Sequence, residues 1–157
     1  MNTNADRHGP GVRIHPPVIF AASILAAIGI NLLWPLALPF GLHGKTVAIA
    51  LLVPVLLIAG FCLREFYQAK TDVRPDRPDS TLITTGPYCL SRNPLYSMLA
   101  IVQLAVAAWL DNAWIALMTV VSIAVIARYA IAREERYLES LFGQAYRDYK
   151  RRVRRWI

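Results

Sequence analysis

Long apolar stretches, separated by charged segments, constrain this chain more than any other feature. The hydrocarbon core of a bilayer is about 30 Å thick, so a helix that crosses it needs roughly 20 mainly apolar residues. Four stretches approach that length: Pro16 to about Leu42, Thr46 to Leu63, Leu95 to Leu110, and a run that begins at Ala113. Because 56% of the residues are hydrophobic and the charged 17% crowd into a few segments, we expect an integral membrane protein.

Helix breakers within and between these stretches predict where the helices begin and end. Pro35 and Pro39 should kink or end the first helix, and Pro54 should kink the second. The second helix is expected to continue through 64–67, and the Pro- and Asp-rich segment 71–81 should be a loop. The third helix should begin at Asn93-Pro94, with Asn as N-cap and Pro at the first helical position.

The C-terminal part of the chain predicts one long helix and one short one. Asp111-Asn112 forms a turn, and nothing breaks the pattern from there to Gly143, so a helix over 113–142 would be roughly 45 Å long. It exceeds the bilayer core, so its last turns should stand in the cytosol. Aromatic and apolar residues then recur at helical spacing opposite a basic face: Tyr146, Tyr149, Val153 and Trp156. This pattern predicts an amphipathic helix on an anionic membrane surface.

The expected fold is therefore all-α, with about four transmembrane helices in one domain over 1–157. Residues 1–64 would form an N-terminal helical hairpin and residues 65–157 a catalytic half. The net charge is +7, and of the 17 Lys and Arg residues only Lys45 falls in a loop expected on the far side. The positive-inside rule explains this charge better than a nucleic-acid partner does, and it predicts cytoplasmic termini. The first stretch lacks a signal-peptide pattern and should remain a membrane helix.

Two polar clusters flank the hairpin of the third and fourth stretches. The first runs from Gly86 to Tyr96, and the second is Arg133-Glu134-Glu135-Arg136-Tyr137-Leu138. A chain that crosses and returns brings both clusters to the same membrane face. Taken separately, each has a simpler interpretation, as a capped helix with a snorkelling Arg or as a solvated helix face. Together they present a cation, an amide and two carboxylates, which suit a zwitterionic sulfonium ligand such as S-adenosylmethionine.

The same residues carry a resemblance to a family. GPYCLSRNPLYSM followed by REERYLESLFGQAYRDYKRRVRRW resembles the isoprenylcysteine carboxyl methyltransferase and phospholipid methyltransferase superfamily of integral membrane enzymes. The resemblance covers roughly 65–157 and implies a helical membrane fold whose cytosolic part encloses S-adenosylmethionine. Arg92-Asn93 matches the family's R-[HN]-P element, and Glu134-Glu135 matches its acidic pair. Cys89 and Met98 depart from it, because many members have a basic residue and a Gly there.

The expected cofactor-binding residues are Tyr88, Arg92, Asn93, Tyr96, Arg133, Glu134 and Glu135. Glu134 and Glu135 are also the candidates for a catalytic role, and no metal-ligand spacing is present. The expected chemistry is an in-line displacement at the sulfonium methyl, which depends on proximity, orientation and desolvation.

The acceptor is expected to be lipophilic and to enter from the bilayer. A carboxylate acceptor needs no base, whereas an amine must first lose a proton. All three histidines (His8, His15 and His43) lie outside the matched half, which favours an acceptor that needs no strong base. The resemblance then implies an isoprenylcysteine carboxyl methyltransferase-like reaction, although the chain itself does not indicate a prenylated protein. The alternatives are a phospholipid amine N-methyltransferase and a non-enzymatic membrane protein whose basic tail binds anionic lipid or a partner. The oligomeric state is left open.

Overall fold

A computed structural model describes Val12, residues 14–69 and residues 81–156. Over these residues the chain is helical without a strand, which confirms the expected all-α class. The helices are α1 Pro16–Leu33, α2 Gly44–Ala69, α3 Pro94–Trp109, α4 Ala113–Ile126, α5 Ala132–Phe142 and α6 Gln144–Arg152. Short 3-10 turns cover Gly41–His43 and Gly86–Cys89. The expected loop at 71–81 lies outside the described residues except for Thr81, as do residues 1–11.

The helix boundaries follow the predicted breakers. α1 ends at Leu33, just before Pro35, and α2 continues beyond Leu63 to Ala69. α3 begins at Pro94 as expected, but the side chain of Asn93 makes no capping hydrogen bond. Its amide Nδ2 donates instead to the carbonyl oxygen of Arg155 at 3.1 Å. Asn93 is therefore the N-cap residue, as predicted, but its side chain does not cap the helix, because its amide is turned toward a distant backbone carbonyl.

The turn between α3 and α4 is held by its own polar side chains. Asp111 adopts a φ of 48°, and its Oδ1 accepts a hydrogen bond from Leu38 N at 2.9 Å. Asn112 Oδ1 accepts from the backbone N of Trp114 at 3.0 Å and of Ile115 at 3.3 Å, which caps α4. The predicted tight turn is confirmed, and it is tied to the segment that follows α1.

α4 and α5 form one helical rod, Ala113–Phe142, that contains a π-helical turn over Ala127–Ile131. The long final helix is thus confirmed, although the π turn was not expected. A π turn adds one residue to the helix, which rotates everything after it by about 100° relative to an uninterrupted α-helix. It therefore determines which residues of α5 face the rest of the protein.

The helices pack as two pairs joined through α3 and α4: α2 lies along α3, and α1 lies along α4. Small residues bring α2 and α3 close together, and a Cβ on Gly44 would lie 2.5 Å from the carbonyl oxygen of Ala108. Between α1, α3 and α4, Gln103 donates to Ile115 O at 3.2 Å, and Ser122 donates to Ser23 Oγ at 2.8 Å. Small residues and interhelical hydrogen bonds are the usual means of packing helices in membranes.

Three helical segments are long and apolar enough to cross a membrane: Pro16–Leu33, Gly41–Ala69 and Ala113–Phe142. Large apolar side chains project outward from them, including Leu25, Leu56 and Val120, each about 70% exposed. An apolar outer surface of this extent requires a lipid environment. The protein is therefore an integral membrane protein, as predicted. α3 is a shorter apolar helix of 16 residues.

The C-terminal helix departs from the prediction in two ways. α6 ends at Arg152 and Val153 is extended, so the predicted helical face does not continue to Trp156. Tyr146 and Tyr149 are only 1% and 4% exposed, so they pack inside the protein and do not lie on the membrane. Basic residues occupy the outer face of the helix, so the helix is amphipathic. Its apolar face, however, packs against the rest of the protein.

Candidate functional site

The two polar clusters meet, as the hairpin predicted. Arg92 NH1 lies 2.8 Å from Glu135 Oε1, and the hydroxyl of Tyr96 donates a hydrogen bond to Glu134. Arg92 and Tyr96 flank the start of α3, while both carboxylates lie at the start of α5. The antiparallel course of α3 and the α4–α5 rod brings these side chains together across some 40 residues of sequence.

Glu135 is surrounded by positive charge. Besides Arg92, it accepts from Arg155 through two contacts, Nε to Oε1 at 3.0 Å and NH2 to Oε2 at 2.5 Å. The residue is 7% exposed. The hydrogen bond to Glu135 raises the pKa of Arg155, so the Arg155 guanidinium remains charged. Both carboxylate oxygens of Glu135 therefore accept hydrogen bonds from arginines, so Glu135 is poorly placed to bind a cationic ligand.

The segment after α6 lies against the first cluster. Arg92 N donates to Arg154 O at 2.9 Å, while Asn93 Nδ2 and Ser91 Oγ donate to Arg155 O at 3.1 and 3.2 Å. We call residues 153–156 the C-terminal strap. The sequence pattern does not mark Arg155 as a site residue, because it lies in a run of basic residues whose charge the membrane explains equally well.

Tyrosines close the site on the side of α6. The Tyr149 hydroxyl donates to Tyr88 O at 2.7 Å, and the Tyr88 ring meets Phe66 of α2 edge-on, with centroids 5.9 Å apart. Burial raises the pKa of Tyr146 and of Tyr149, so both hydroxyls stay protonated and can donate hydrogen bonds. Tyr88 is itself buried, and the 3-10 turn that carries it lies between α2 and α6.

A cavity of about 570 Å³ opens among these residues. This volume lies within the range typical of small-molecule sites. Its polar wall contains six of the seven predicted site residues: Tyr88, Arg92, Asn93, Tyr96, Glu134 and Glu135. Its apolar wall extends along α2 and α3 through Val55, Leu95, Met98, Leu99 and Val102. Met98 therefore does line the cavity, whereas Cys89 is exposed and is not part of its wall.

Arg133 is the predicted site residue that the structure does not bring to the cavity wall. Its guanidinium lies over the ring of Tyr129, with 4.7 Å from Cζ to the ring centroid, which is a cation–π contact. Tyr129 belongs to the π turn, and its hydroxyl accepts a hydrogen bond from Ile14 N at 3.1 Å. Arg133 thus supports the segment that leads into α1.

Arg92 retains an unused donor. Its Nε is buried and has no hydrogen-bond partner among the described residues. Buried polar atoms are nearly always paired, so an unpaired donor in a cavity wall indicates a place for a ligand acceptor. Glu134 accepts a hydrogen bond from the Tyr96 hydroxyl. The cavity wall thus combines a guanidinium that keeps an unpaired donor with a carboxylate, which fits a ligand that carries both charges.

Comparison with known proteins identifies the family. The profile described as phospholipid methyltransferase matches residues 53–145, more than half of the chain. The chain belongs to the phospholipid methyltransferase family. This confirms the resemblance drawn from the two clusters, since the family is part of the predicted superfamily, and it indicates a membrane methyltransferase activity. The match begins inside α2 and ends in α6, so it includes both clusters but neither α1 nor Arg155.

An uncharacterized protein of Haemophilus influenzae is also similar to the chain. It is 48% identical over 63 residues, which is 40% of this chain and the whole of that protein. No solved structure matches the chain.

Proposed function

We propose that this family member transfers a methyl group from S-adenosylmethionine to a lipophilic acceptor at the cytosolic face of the membrane. One observation carries the proposal: a single cavity has a charged wall, built by the two clusters, and an apolar wall formed by membrane helices. A charged, water-soluble donor and an apolar acceptor can therefore meet in one space.

The charged wall is assigned to the donor. S-adenosylmethionine supplies an electrophilic methyl group on a sulfonium. Arg92 Nε would donate to its carboxylate, and the Glu134 carboxylate would lie toward its positive charge. Asn93 has a supporting role, because its amide holds the C-terminal strap. Methyl transfer of this kind needs orientation and exclusion of water, which a buried wall of tyrosines and paired charges provides.

The apolar wall is assigned to the acceptor. Val55 of α2 and Leu99 and Val102 of α3 would contact its hydrocarbon part, which would enter sideways from the bilayer. Two acceptor classes suit this arrangement. One is the carboxylate of a prenylated cysteine, as in isoprenylcysteine carboxyl methyltransferases, and the other is the amine of a phospholipid headgroup.

The proposed topology has four crossings, with both termini and the site in the cytoplasm. α3 would be the third crossing although its 16 residues span only about 24 Å, less than the roughly 30 Å core. Local thinning of the bilayer would accommodate it. Residues 65–157 would form the catalytic half, and the exposed basic face of α6 would meet anionic lipid, not nucleic acid. A reporter fused at Asp111 should read as external.

Calorimetry with the purified protein and S-adenosylmethionine tests the proposal. Glu134→Gln should weaken binding by roughly 10- to 150-fold, the loss expected when a charged contact of about 1.5–3 kcal/mol is removed. Glu139→Gln is the matched control, since Glu139 lies on the same helix but pairs with Lys150 at the surface. The proposal fails if the wild-type protein does not bind the donor, or if Glu134→Gln binds it as tightly as wild type.

The same measurement separates the non-enzymatic alternative. A protein that only binds anionic lipid through its basic tail would bind anionic vesicles but give no heat with S-adenosylmethionine. That alternative assigns no ligand to the unpaired Arg92 Nε or to the cavity.

A further inference from the structure

A histidine from the start of the chain lines the cavity. His15 lies just before α1, and together with Pro16 and Pro17 it forms part of the cavity wall. It is remote in sequence from both clusters and precedes the family match, which begins at residue 53. Among the described residues that line the cavity, it is the only imidazole.

Contacts on both sides hold His15 in this place. Val12 is 2% exposed and packs in a core cluster with Phe20, Tyr96 and Ile126. Ile14 N donates to the Tyr129 hydroxyl of the π turn at 3.1 Å. After His15, two consecutive prolines restrict the backbone. The position of His15 is thus determined by the packing of its neighbours against α3 and the α4–α5 rod.

The other ionisable groups of the cavity are poorly suited to accept a proton. Glu135 is paired with two guanidiniums, and Glu134 accepts the Tyr96 hydroxyl. Burial raises the pKa values of Tyr146 and Tyr149, which keeps them protonated. A neutral imidazole, by contrast, carries a ring nitrogen whose lone pair can accept a proton. His15 is also exposed, so it can pass a proton to water.

We propose that His15 accepts the proton that an amine must lose before methyl transfer, and that the acceptor at this site is a lipid with an amine headgroup. This inference rests on the proposed function and selects between its two acceptor classes. It reverses the preference for a carboxylate acceptor, which depended on placing every histidine outside the catalytic half.

The imidazole takes a proton from the ammonium group of the acceptor, which frees the nitrogen lone pair. That pair forms the new nitrogen–carbon bond while the sulfur–carbon bond of the sulfonium breaks and leaves its electron pair on sulfur. The protonated imidazole then releases its proton to the cytosol. A carboxylate acceptor would need none of this, because it is already nucleophilic at neutral pH.

The pH dependence of this step also reflects the other titratable and charged groups of the cavity and of the segments packed beside His15. On the cavity side and on the packed segments these are Tyr88, Arg92, Tyr96, Tyr129, Arg133, Glu134, Glu135, Tyr146 and Tyr149. Comparing each variant with the wild-type protein at the same pH keeps this background constant.

The test compares His15→Gln with His43→Gln, a control at an exposed histidine that precedes α2. The acceptors are vesicles of an ethanolamine-headgroup phospholipid and, separately, an S-prenylated cysteine with a free carboxylate. At pH 7 His15→Gln should lower turnover of the amine by roughly 100-fold, within the range for a lost general base. The loss should shrink at pH 9, where more of the amine is already neutral. Affinity for S-adenosylmethionine should not change.

Two further measurements separate catalysis from structure. In His15→Gly, added imidazole should restore part of the turnover on the amine. By NMR without the methyl donor, a short-chain ethanolamine phospholipid should shift the imidazole signals of His15 but not those of His43.

The inference is overturned if His15→Gln retains wild-type turnover, or if its loss is the same at pH 7 and pH 9. It is also overturned if the wild-type enzyme methylates only the prenylcysteine carboxylate, a result that would leave the proposed function standing. Absence of S-adenosylmethionine binding by the wild-type protein would instead remove the proposed function, and this inference with it.

Discussion

The two ends of the α3–α4 hairpin use polar side chains in opposite ways. At the turn, Asp111 and Asn112 accept hydrogen bonds from nearby backbone N–H groups, and Trp114 Nε1 donates to Trp34 O at 2.7 Å. At the cavity, side chains pair with other side chains across long sequence separations, and one donor of Arg92 stays unpaired. Polar groups at the turn bind backbone N–H groups, whereas those at the cavity form an ionic network in which Arg92 Nε has no partner among the described residues.

The largest expected effect comes from removing the centre of that network. Glu135→Ala leaves Arg92 and Arg155 without their shared carboxylate, and breaking a buried ion pair costs about 3–5 kcal/mol. We expect a large fall in the midpoint of thermal unfolding in detergent. Glu139→Ala, which removes a surface partner of Lys150, should change the midpoint little. Equal midpoints for the two variants would show that the network does not stabilise the fold.

At the end of the hairpin that carries the α3–α4 turn, an added side-chain atom between α2 and α3 should lower the stability of the protein. Gly44→Ala places a Cβ 2.5 Å from the carbonyl oxygen of Ala108, so α2 must move away from α3 at a cost of about 1–3 kcal/mol. Gly60→Ala on the same helix has open space around its Cβ and should be neutral or slightly stabilising. Unfolding curves of both variants check the difference. If Gly44→Ala were as stable as Gly60→Ala, the close approach of α2 to α3 would be refuted.

The C-terminal strap should affect the site more than the fold. Arg155→Lys loses the two-point contact with Glu135, because an ammonium group cannot reproduce the guanidinium fork. The side chain is 39% exposed, so we expect a modest cost of about 1 kcal/mol and weaker binding of S-adenosylmethionine in calorimetry. Arg154→Lys is the control, because Arg154 contacts Arg92 through its backbone. Indistinguishable affinities would argue against a positioning role for Arg155.

The smallest expected effect is at the turn. Asn112→Ala removes the cap of α4 and should cost about 1 kcal/mol of stability. Because the cap serves only the local backbone, affinity for S-adenosylmethionine should stay at the wild-type value. A loss of affinity in Asn112→Ala would show that the two ends of the hairpin are coupled.

The features predicted from sequence are those that rest on local patterns. Apolar length, breakers and the Asp111-Asn112 turn predicted the helices and the hairpin, and the hairpin predicted that Arg92 would meet the acidic pair. The positions of His15 and Arg155 beside the two clusters were missed because they depend on contacts with distant segments. Asn93 is the N-cap residue as its sequence context predicts, but its amide is oriented by the carbonyl of Arg155 and makes no capping hydrogen bond. Pattern and propensity carry no information about such long-range competition.

The π turn over Ala127–Ile131 also has a consequence for comparing relatives. Adjacent residues on a helix point about 100° apart, which is also the rotation that one inserted residue produces. A relative that lacks this turn would therefore present a neighbouring position to the cavity. Ungapped alignment across α4 and α5 would then equate Glu134 of this chain with a residue that faces elsewhere. When this chain is aligned with a relative that lacks the π turn, we expect the correct alignment to need a one-residue gap within 127–131. Substitutions at Glu134 and Glu135 can be compared between the two proteins only after that gap has been introduced.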